Sequence, residues 1–387
     1  MKAREEFLNY ALPCWGEEEI EGVTDTVKSN WWSRGPKTAE FEKKFAEYVG
    51  AKHAIALNSC TAALHLALAA CDLKKGDEVI TTPMTFCSTA NMIVNTGATP
   101  VFCDVIEDTG LIDPDKIETK ITENTKGILP VHYAGQACNM DKINAIAKKH
   151  GLFVIEDAAH AVYTTYKDKL VGSLGNATAF SFYATKNLAT GEGGMLTTDD
   201  DDFAVKARIM SLHGMDKNAW NRYGKGGSWH YDVLHAGFKY NMTDFQAALG
   251  LSQLDRLDKM QNIRKKYAEI YNKAFESAKG IVPLSVSQDG RHAWHLYVIK
   301  ITNGLSISRD DFIAELTELN IGTSVHFIPV TNHPFYKENF QTSETDCPVA
   351  QGFYEKIISI PLYPSMSESD VDYVAKAVLS IAAKYAK

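Results

Sequence analysis

The first two-thirds of the sequence alternates short apolar runs with helical stretches, and this alternation restricts the fold more than any other feature. The strand-like runs are HAIAL (53–57), GDEVITT (76–82), TPVFCDV (99–105), KGILPVHY (126–133), GLFVIEDA (151–158) and ATAFSFYAT (177–185). Strands that alternate with helices predict βαβ units, and nearly continuous Val, Ile, Leu and Phe indicate burial on both sheet faces. We therefore predict an α/β fold with a mostly parallel central sheet flanked by helices.

The pattern changes near residue 244. A helical spacing of apolar residues then continues over about 35 residues, within which Asp244 and Asp255 can each begin a segment. After Gly280, strand signals at 295–301 and 322–328 alternate with further helical stretches. This predicts a large domain over residues 1–250 and a smaller C-terminal α/β domain over residues 251–387.

Composition excludes several classes of protein. Forty Lys and Arg against 48 Asp and Glu give a net charge of −8, whereas nucleic-acid binding needs a basic surface. No apolar run approaches the roughly 20 residues of a membrane span, and the first residues lack the apolar core of a signal peptide. The seven cysteines are scattered without a C-x-x-C pair, which predicts reduced thiols and no metal site. We expect a cytoplasmic protein.

Small polar residues separate the strand HAIAL from the helical stretch that follows it. Asn58, Ser59 and Thr61 lie at this helix start. Helix N-termini present unpaired N–H groups and the positive end of a dipole, so they bind phosphate. The same residue types are also the preferred N-caps of ordinary helices, and caps are far commoner than anion sites.

Two acids, Glu156 and Asp157, end the apolar run LFVI. The carboxyl end of a buried parallel strand is where ligands bind in open α/β sheets. A carboxylate buried there needs a cation or a strong donor, and a protonated pyridine nitrogen would serve. The alternative is that Asp157 merely caps the next helix.

Lys186 follows a buried strand within SFYATK, and a glycine-containing stretch comes after it. Desolvation lowers the pKa of a lysine and makes its amine nucleophilic toward carbonyls. The alternative is an ordinary solvated lysine in a polar loop, as most lysines are. Pyridoxal 5'-phosphate (PLP) requires three parts in its site: an amine, a carboxylate at a strand end and a helix start that binds phosphate. Phe86 is suitably placed to cover the ring of PLP, although core packing is a close alternative.

Nine segments of the sequence, in order, resemble the DegT/StrS family of PLP-dependent nucleotide-sugar aminotransferases, which have the fold-type I aminotransferase fold. They are WWSRGPKTAEFEKKFAEYVG (31–50), ALNSCTAALHLAL (56–68), GDEVITTPMTF (76–86), PVHYAG (130–135), VIEDAAHA (154–161), FSFYATKNLATGEGG (180–194), HGMDKNAWNR (213–222), FKYNMTDFQAALGLSQL (238–254) and HAWHLYVIKI (292–301). The resemblance covers nearly the whole chain.

The resemblance implies roles for residues around the PLP ring. Lys186 would bond to the PLP aldehyde and carry the proton, and Asp157 would pair with the pyridine nitrogen. Phe86 would stack on the ring and His160 would lie beside it.

The resemblance also implies how the phosphate is held. Thr61, Ala62 and Ser181 would bind it within one chain. Asn241 would reach the phosphate of the neighbouring subunit's cofactor, which implies a homodimer with two shared active sites.

Substrate contacts are implied in three places. Trp32 and Ser33 fall in an N-terminal substrate loop, and His326 falls near the substrate channel, where a packed strand histidine is an equal alternative. In the loop before Asn241, Arg and Lys side chains suit a nucleotide diphosphate and Trp side chains suit stacking on uracil. A solvated surface loop is the alternative for these residues, which are Trp220, Arg222, Lys225 and Trp229.

The implied reaction moves an amino group from L-glutamate to a nucleotide-linked 4-keto sugar. Lys186 stands where dehydrating branches of the family have His, which favours transamination, and the dispersed cysteines do not suit an iron–sulfur branch.

The chain most resembles the UDP-4-amino-4-deoxy-L-arabinose–oxoglutarate aminotransferase type. Tyr183 and Phe86 depart from that type, so a UDP-linked pentose and a UDP-, dTDP- or GDP-linked 6-deoxyhexose both stay open. A 3-keto sugar, or a regulatory PLP-binding role without turnover, are the alternatives.

Overall fold

A seven-stranded sheet forms the centre of the protein, in a computed structural model that describes residues 1–216 and 230–387. Its strands are β1 (His53–Leu57), β2 (Glu78–Thr81), β3 (Thr99–Phe102), β4 (Thr125–Leu129), β5 (Phe153–Asp157), β8 (Ala177–Ser181) and β9 (Gly194–Thr198). A separate ribbon consists of β6 (Thr165–Tyr166) and β7 (Lys169–Leu170). The order in the large sheet is β1-β9-β8-β5-β4-β2-β3. Only β9 runs against its two neighbours, so the predicted mostly parallel sheet is confirmed.

Helices cover both faces of this sheet. They are α1 (Glu17–Ser29), α2 (Pro36–Val49), α3 (Cys60–Ala70), α4 (Ser88–Asn95), α5 (Pro114–Ile117), α6 (Met140–His150) and α7 (Asp201–Met210). Ile55 and Leu57 of β1 belong to one apolar cluster with α3, whereas Ala54 and Ala56 belong to another with α2. Because alternate side chains of a strand point to opposite faces, this division confirms burial on both sides.

The long helical pattern after residue 243 forms two consecutive helices, α8 (Asp244–Asp255) and α9 (Leu257–Phe275). Thr243 caps α8 by accepting a hydrogen bond from the backbone N–H of Gln246. Asp244 begins α8 as expected, whereas Asp255 is the last residue of α8, and α9 begins at Leu257 after Arg256. Helix α8 packs against α1 and α2, so it belongs to the same layer as the N-terminal helices.

The C-terminal part contains a second, antiparallel sheet of β10 (Ile281–Pro283), β11 (Tyr297–Ile301) and β12 (Ile357–Ile360). Its helices are α10 (Arg309–Glu318), α11 (Pro334–Phe340), α12 (Pro348–Tyr354) and α13 (Glu368–Lys384). The domain division at residue 250 stays a prediction. Within the described ranges, no helix combines the length and the apolar character that crossing a membrane requires.

The strand predicted over residues 322–328 is wrong. This segment pairs with β12 only at Ser324, through a single bridge to Ser359. Val325 and Phe327 instead pack against the apolar core, and His326 bonds to the Ser359 side chain. The alternating pattern therefore reflects packing at a cavity wall rather than sheet pairing.

Candidate active site

A cavity of about 660 Å³ lies at the carboxyl ends of β5 and β8. Its volume is typical of small-molecule sites, which span about 300–1,000 Å³. The residues predicted for the site that line it are Thr61, Phe86, Asp157, His160, Ser181, Lys186 and His326. Parallel strands bring their carboxyl ends to one edge of a sheet, and this explains why residues so far apart in the chain meet here.

Lys186 lies in the wall of this cavity, five residues beyond the end of β8. Its Nζ is 3.4 Å from Nε2 of His295. Burial lowers the pKa of the Lys186 amine to about 8, although Cys60 and Asp157 nearby oppose this shift. A large fraction of the amine is therefore neutral near pH 8 and able to attack a carbonyl carbon.

Asp157 is the last residue of β5, and its carboxylate is buried. One oxygen accepts a hydrogen bond from the Thr89 hydroxyl at 2.7 Å, and the other accepts from the Ala159 backbone N–H at 3.0 Å. Burial raises the pKa of this carboxyl group, and the two hydrogen bonds only partly oppose the shift. A turn rather than a helix follows Asp157, so the carboxylate is not a helix cap. It is suited to a cationic ligand group in the cavity.

Glu156, its neighbour, points into a different hydrogen-bond network. Its Oε2 lies 2.8 Å from Nε2 of His132, and its Oε1 accepts from Gly175 N–H and the Thr178 hydroxyl. Nδ1 of His132 accepts the backbone N–H of Cys138, so the proton that faces Glu156 is on Nε2. This buried pair joins neighbouring strands and does not line the cavity.

The start of α3 forms one end of the cavity. Ser59 is the N-cap, and its hydroxyl accepts the backbone N–H of Ala62 at 3.0 Å. Thr61 lines the cavity, whereas Ala62 does not, and the Ala62 amide would have to exchange its cap bond for a phosphate oxygen. Gly194, at the start of β9, approaches this turn closely: an added Cβ would lie 2.4 Å from the carbonyl carbon of Ser59.

Aromatic rings surround the middle of the cavity. Phe86 is 60% exposed, which does not fit core packing and leaves its ring free to cover a ligand. The buried His160 ring is stacked with Phe327 at 5.8 Å and is 4.4 Å from the His295 ring. Nδ1 of His160 accepts the Ala134 backbone N–H, and burial holds the pKa of His160 well below its usual value. His160 is therefore a neutral wall of the site.

His326 lines the same cavity, and its ring centroid is 6.4 Å from that of His160. Its Nδ1 is 2.9 Å from the Ser359 hydroxyl, and burial lowers the pKa of the imidazole to about 3. It is thus anchored to β12 by a side-chain hydrogen bond and still faces the space where a substrate would enter.

Besides Ala62, three predicted residues of the described ranges do not line the cavity of their own chain. Asn241 forms a bridge with Leu57, and its side chain bonds to Lys239 and to the Met242 carbonyl. Trp32 donates its indole N–H to the Val27 carbonyl, and the Ser33 carbonyl accepts the Asp244 N–H. The remaining predicted contacts, Trp220, Arg222, Lys225 and Trp229, fall outside the described residues.

Sequence reasoning missed two residues of the site. Thr89 holds the Asp157 carboxylate from α4, and its hydroxyl also bonds to that of Thr85 at 2.7 Å. His295 contacts Lys186 from the segment HAWHL. The two histidines of the short segment HAWHL were a sequence signal that could have identified His295. No such signal pointed to Thr89, because threonine is common at helix starts.

These features fit PLP. They supply an amine with a lowered pKa, a buried carboxylate whose hydrogen-bond donors within the described ranges are neutral, a hydroxyl-bearing helix start and an exposed aromatic ring. Among residues 1–216 and 230–387, no group of His, Cys, Asp and Glu side chains suits a metal ion.

Comparison with known proteins identifies the family and agrees with PLP as its cofactor. The sequence profile of the DegT/DnrJ/EryC1/StrS aminotransferase family matches residues 13–379. The chain is 58% identical to the spore coat polysaccharide biosynthesis protein SpsC of Bacillus subtilis, over 98% of both chains.

Solved structures share the whole fold. PseC of Helicobacter pylori, an aminotransferase of pseudoaminic acid biosynthesis, has a TM-score of 0.92 and 31% identity, over 98% of this chain and all of that one. Spr1654 of Streptococcus pneumoniae, provisionally assigned as a sugar aminotransferase, has a TM-score of 0.91 and 34% identity in its PLP form, over 98% and 99% of the two chains. It has also been solved in a form with pyridoxamine phosphate. The chain therefore belongs to the DegT/DnrJ/EryC1/StrS family of PLP-dependent sugar aminotransferases.

Proposed function

We propose that the protein transfers an amino group from L-glutamate to the keto carbon of a nucleotide-linked 4-keto sugar. The observation that carries the proposal is that Lys186 and Asp157 line one cavity, where burial lowers the pKa of the amine and the described donors to the carboxylate are neutral. Glutamate as the donor, and a pentose or 6-deoxyhexose linked to UDP, dTDP or GDP as the acceptor, follow from the sequence resemblance.

The chain's own residues divide the chemistry between them. Bound PLP supplies the aldehyde that takes up the amino group and a ring that stores an electron pair. Asp157 holds a proton on the ring nitrogen, and the Thr89 hydroxyl orients the carboxylate for this contact. Nζ of Lys186, once the donor's amine has displaced it, takes the proton from the donor's Cα and later returns one. Phe86 would stack on the bound ring, and His160 would lie beside it.

We propose further that the active unit is a homodimer. Asn241 lies beside the start of α3 but outside its own cavity, which suits a contact to the partner's phosphate. Trp31 and Trp32 are 51% and 56% exposed, an apolar surface that a second copy would cover. Trp32 and Ser33 would then belong to the partner's substrate site. From their residue types alone, we propose that Trp220, Arg222, Lys225 and Trp229 contact the nucleotide of the substrate.

A cell-surface polysaccharide, lipid A or another glycan is the proposed destination of the amino sugar. The relative SpsC, described by its role in spore coat polysaccharide biosynthesis, supports the first of these. The cysteines are all free thiols, which supports a cytoplasmic reaction.

The test is a pair of half-reactions followed by absorbance. The purified protein, loaded with PLP, should lose its visible band on addition of L-glutamate. One member of a panel of UDP-, dTDP- and GDP-linked keto sugars should then restore it. The panel includes 4-keto pentoses, 4-keto-6-deoxyhexoses and a 3-keto sugar, so recovery identifies the acceptor.

Two variants serve as controls. Lys186→Ala should lack the visible band, and Lys142→Ala, at an exposed lysine paired with Asp115, should behave as the wild type. A PLP-loaded wild type that does not respond to glutamate would point instead to a regulatory PLP-binding role.

A further inference from the structure

A chain of side-chain contacts leads from Lys186 away from the cavity. Nζ of Lys186 is 3.4 Å from Nε2 of His295, and Nδ1 of His295 is 2.9 Å from Oδ1 of Asn187. The Asn187 amide in turn donates from Nδ2 to the Ala293 carbonyl at 2.7 Å. His295 and Asn187 are both buried, so water does not substitute for these partners.

These contacts determine which nitrogen of His295 carries the proton. Because Nδ2 of Asn187 must donate to a carbonyl, Oδ1 is the atom that faces His295. An amide oxygen only accepts, so Nδ1 of His295 carries the hydrogen. Nε2 is then left with a lone pair, and this lone pair faces the amine of Lys186.

The surroundings keep His295 in this neutral form. Burial, with the nearby charge of Lys186, holds the pKa of His295 well below its usual value. The ring also lies 4.4 Å from the His160 ring, which is neutral for the same reason. The other titratable groups that face Lys186 are Cys60, Asp157 and His326. Only His295 is within hydrogen-bond distance of Nζ among the described residues.

We propose that His295 is a positioning residue for the catalytic amine of Lys186. Its Nε2 accepts one N–H of Nζ and thereby turns the lone pair of the amine toward the cavity, where the proton is exchanged. This proposal rests on the proposed function, because it assigns His295 a part in the same reaction. The contact is long at 3.4 Å, and we expect it to shorten when the amine is released by the donor.

A purely structural role for His295 predicts different behaviour. In that case the ring would fill space against His160, and loss of its nitrogen atoms would change stability without changing the properties of the amine. The two roles are separated by variants that keep the volume but alter the hydrogen bonding, such as His295→Gln, and by changes at Asn187.

The first experiment follows the glutamate half-reaction of the PLP-loaded protein by stopped-flow absorbance. His295→Leu should lower the rate at saturating glutamate by about 10- to 100-fold, with a half-saturating concentration that changes by less than about twofold. His295→Gln should recover part of the rate, because its amide can still accept from Nζ and donate to Asn187.

Asn187→Asp tests the tautomer argument with His295 intact. A carboxylate at position 187 would raise the pKa of His295, and the protonated ring no longer accepts from Nζ. The rate of the glutamate half-reaction should therefore fall at low pH and recover at higher pH. The pH profile of the wild-type rate should lack this low-pH limb. Combining Asn187→Asp with His295→Leu should abolish this limb.

A second readout needs neither glutamate nor sugar. After PLP is removed from the full-length protein, the reactivity of Lys186 toward a small amine-modifying reagent is measured against pH by mass spectrometry. His295→Leu should lower the pKa of Lys186 by about one pH unit, because an acceptor of the ammonium is lost. A result of this kind would uphold the proposal even if every keto sugar failed.

His292→Leu is the matched control. His292 lies in the same segment, stacks on Trp294 at 4.2 Å and does not line the cavity. The proposal is overturned if His292→Leu reproduces the losses of His295→Leu, if His295→Leu leaves both the rate and the labelling pKa unchanged, or if Asn187→Asp produces no pH-dependent limb.

Discussion

Burial acts in opposite directions on the two principal side chains of the site. It lowers the pKa of the Lys186 amine and raises that of the Asp157 carboxyl, because in each case water no longer stabilises the charged form. Both residues are thereby prepared for a ligand. The amine attacks a carbonyl carbon more readily, and a cation that approaches the carboxylate stabilises its charged form. The consequences are measurable residue by residue.

The rate of PLP uptake should follow the titration of Lys186. Only the neutral amine attacks the aldehyde, so the uptake rate is expected to rise with pH and to level off above a midpoint near 8. Stopped-flow absorbance of the cofactor-free protein measures this midpoint. The amine of the exposed Lys167, whose hydrogen bond with Asp141 raises its pKa, should titrate higher when it is followed by labelling. A midpoint for Lys186 equal to that of Lys167 would contradict the burial argument.

Asp157→Asn should separate cofactor binding from turnover. The amide keeps the shape of the side chain but does not hold a proton on the ring nitrogen, so the glutamate half-reaction should slow by at least about 100-fold. PLP should still bond to Lys186, as judged by absorbance and borohydride trapping.

The neighbouring acid provides the comparison. Glu156→Gln is expected to lower the melting temperature, because the buried contact with His132 is weakened, while the spectrum of bound PLP stays unchanged. If the two variants slowed the half-reaction equally, the assignment of Asp157 to the ring nitrogen would be lost.

The identity of these two residues was predictable, but their partners were not. Lys186 and Asp157 both follow apolar runs that end at the ligand-binding edge of the sheet, which is a pattern that a sequence displays. His295 and Thr89 reach them from segments far along the chain. The phosphate contact of Ala62 stays a prediction. The Ala62 amide donates to the hydroxyl of Ser59, the N-cap of α3, and this local hydrogen bond competes with a ligand for the same donor.

At the scale of elements, the parallel strands were the predictable part. The observed β1 (His53–Leu57) coincides with the predicted run, and β2 to β5 and β8 lie within a few residues of theirs. Strand β9 was missed because GMLTT is short and follows a glycine-containing turn. Its antiparallel direction has no local signature, because direction is decided by the pairing partners β1 and β8.

Gly194→Ala should force β9 and the start of α3 apart. The new Cβ would lie 2.4 Å from the Ser59 carbonyl carbon, so the backbone must shift at a cost of about 1–3 kcal/mol. Weaker PLP binding and a lower melting temperature are expected, by fluorescence titration and calorimetry.

Gly352→Ala is the control for that substitution. Gly352 lies in α12 with open space around it, so alanine should stabilise the helix by roughly 0.5–1 kcal/mol and leave PLP affinity unchanged. Equal PLP affinity in Gly194→Ala and the wild type would show that the close approach is not needed for the cofactor.

At the scale of the whole molecule, the proposed dimer makes a complementation test possible. Lys186→Ala and Asn241→Leu are each expected to be nearly inactive as separate homodimers. In a mixed dimer, one of the two sites takes Lys186 from the Asn241→Leu chain and Asn241 from the Lys186→Ala chain. Both residues are intact in that site. Activity should therefore reappear when the two variants are refolded together, up to about half of the wild-type value per mixed dimer.

The same mixture also tests the alternative arrangement. If Asn241 served the cavity of its own chain, neither site of the mixed dimer would be complete, and mixing would recover no activity. Size-exclusion chromatography with light scattering establishes that the mixed species forms.

The pairing of β1 with β9 has a consequence for the order of events during protein synthesis. Strand β1 leaves the ribosome early, but its ladder partner lies beyond β8 in the chain. Until β9 has been made, β1 has no neighbour along its length in the sheet, and the start of α3 lacks its close contact with Gly194. Contacts between distant parts of a chain form late, since the intervening loop must first close. We therefore expect PLP to bind only to nascent chains that extend beyond β9. Lys186, which bonds to PLP, precedes β9 in the chain and is synthesised before the site can hold the cofactor.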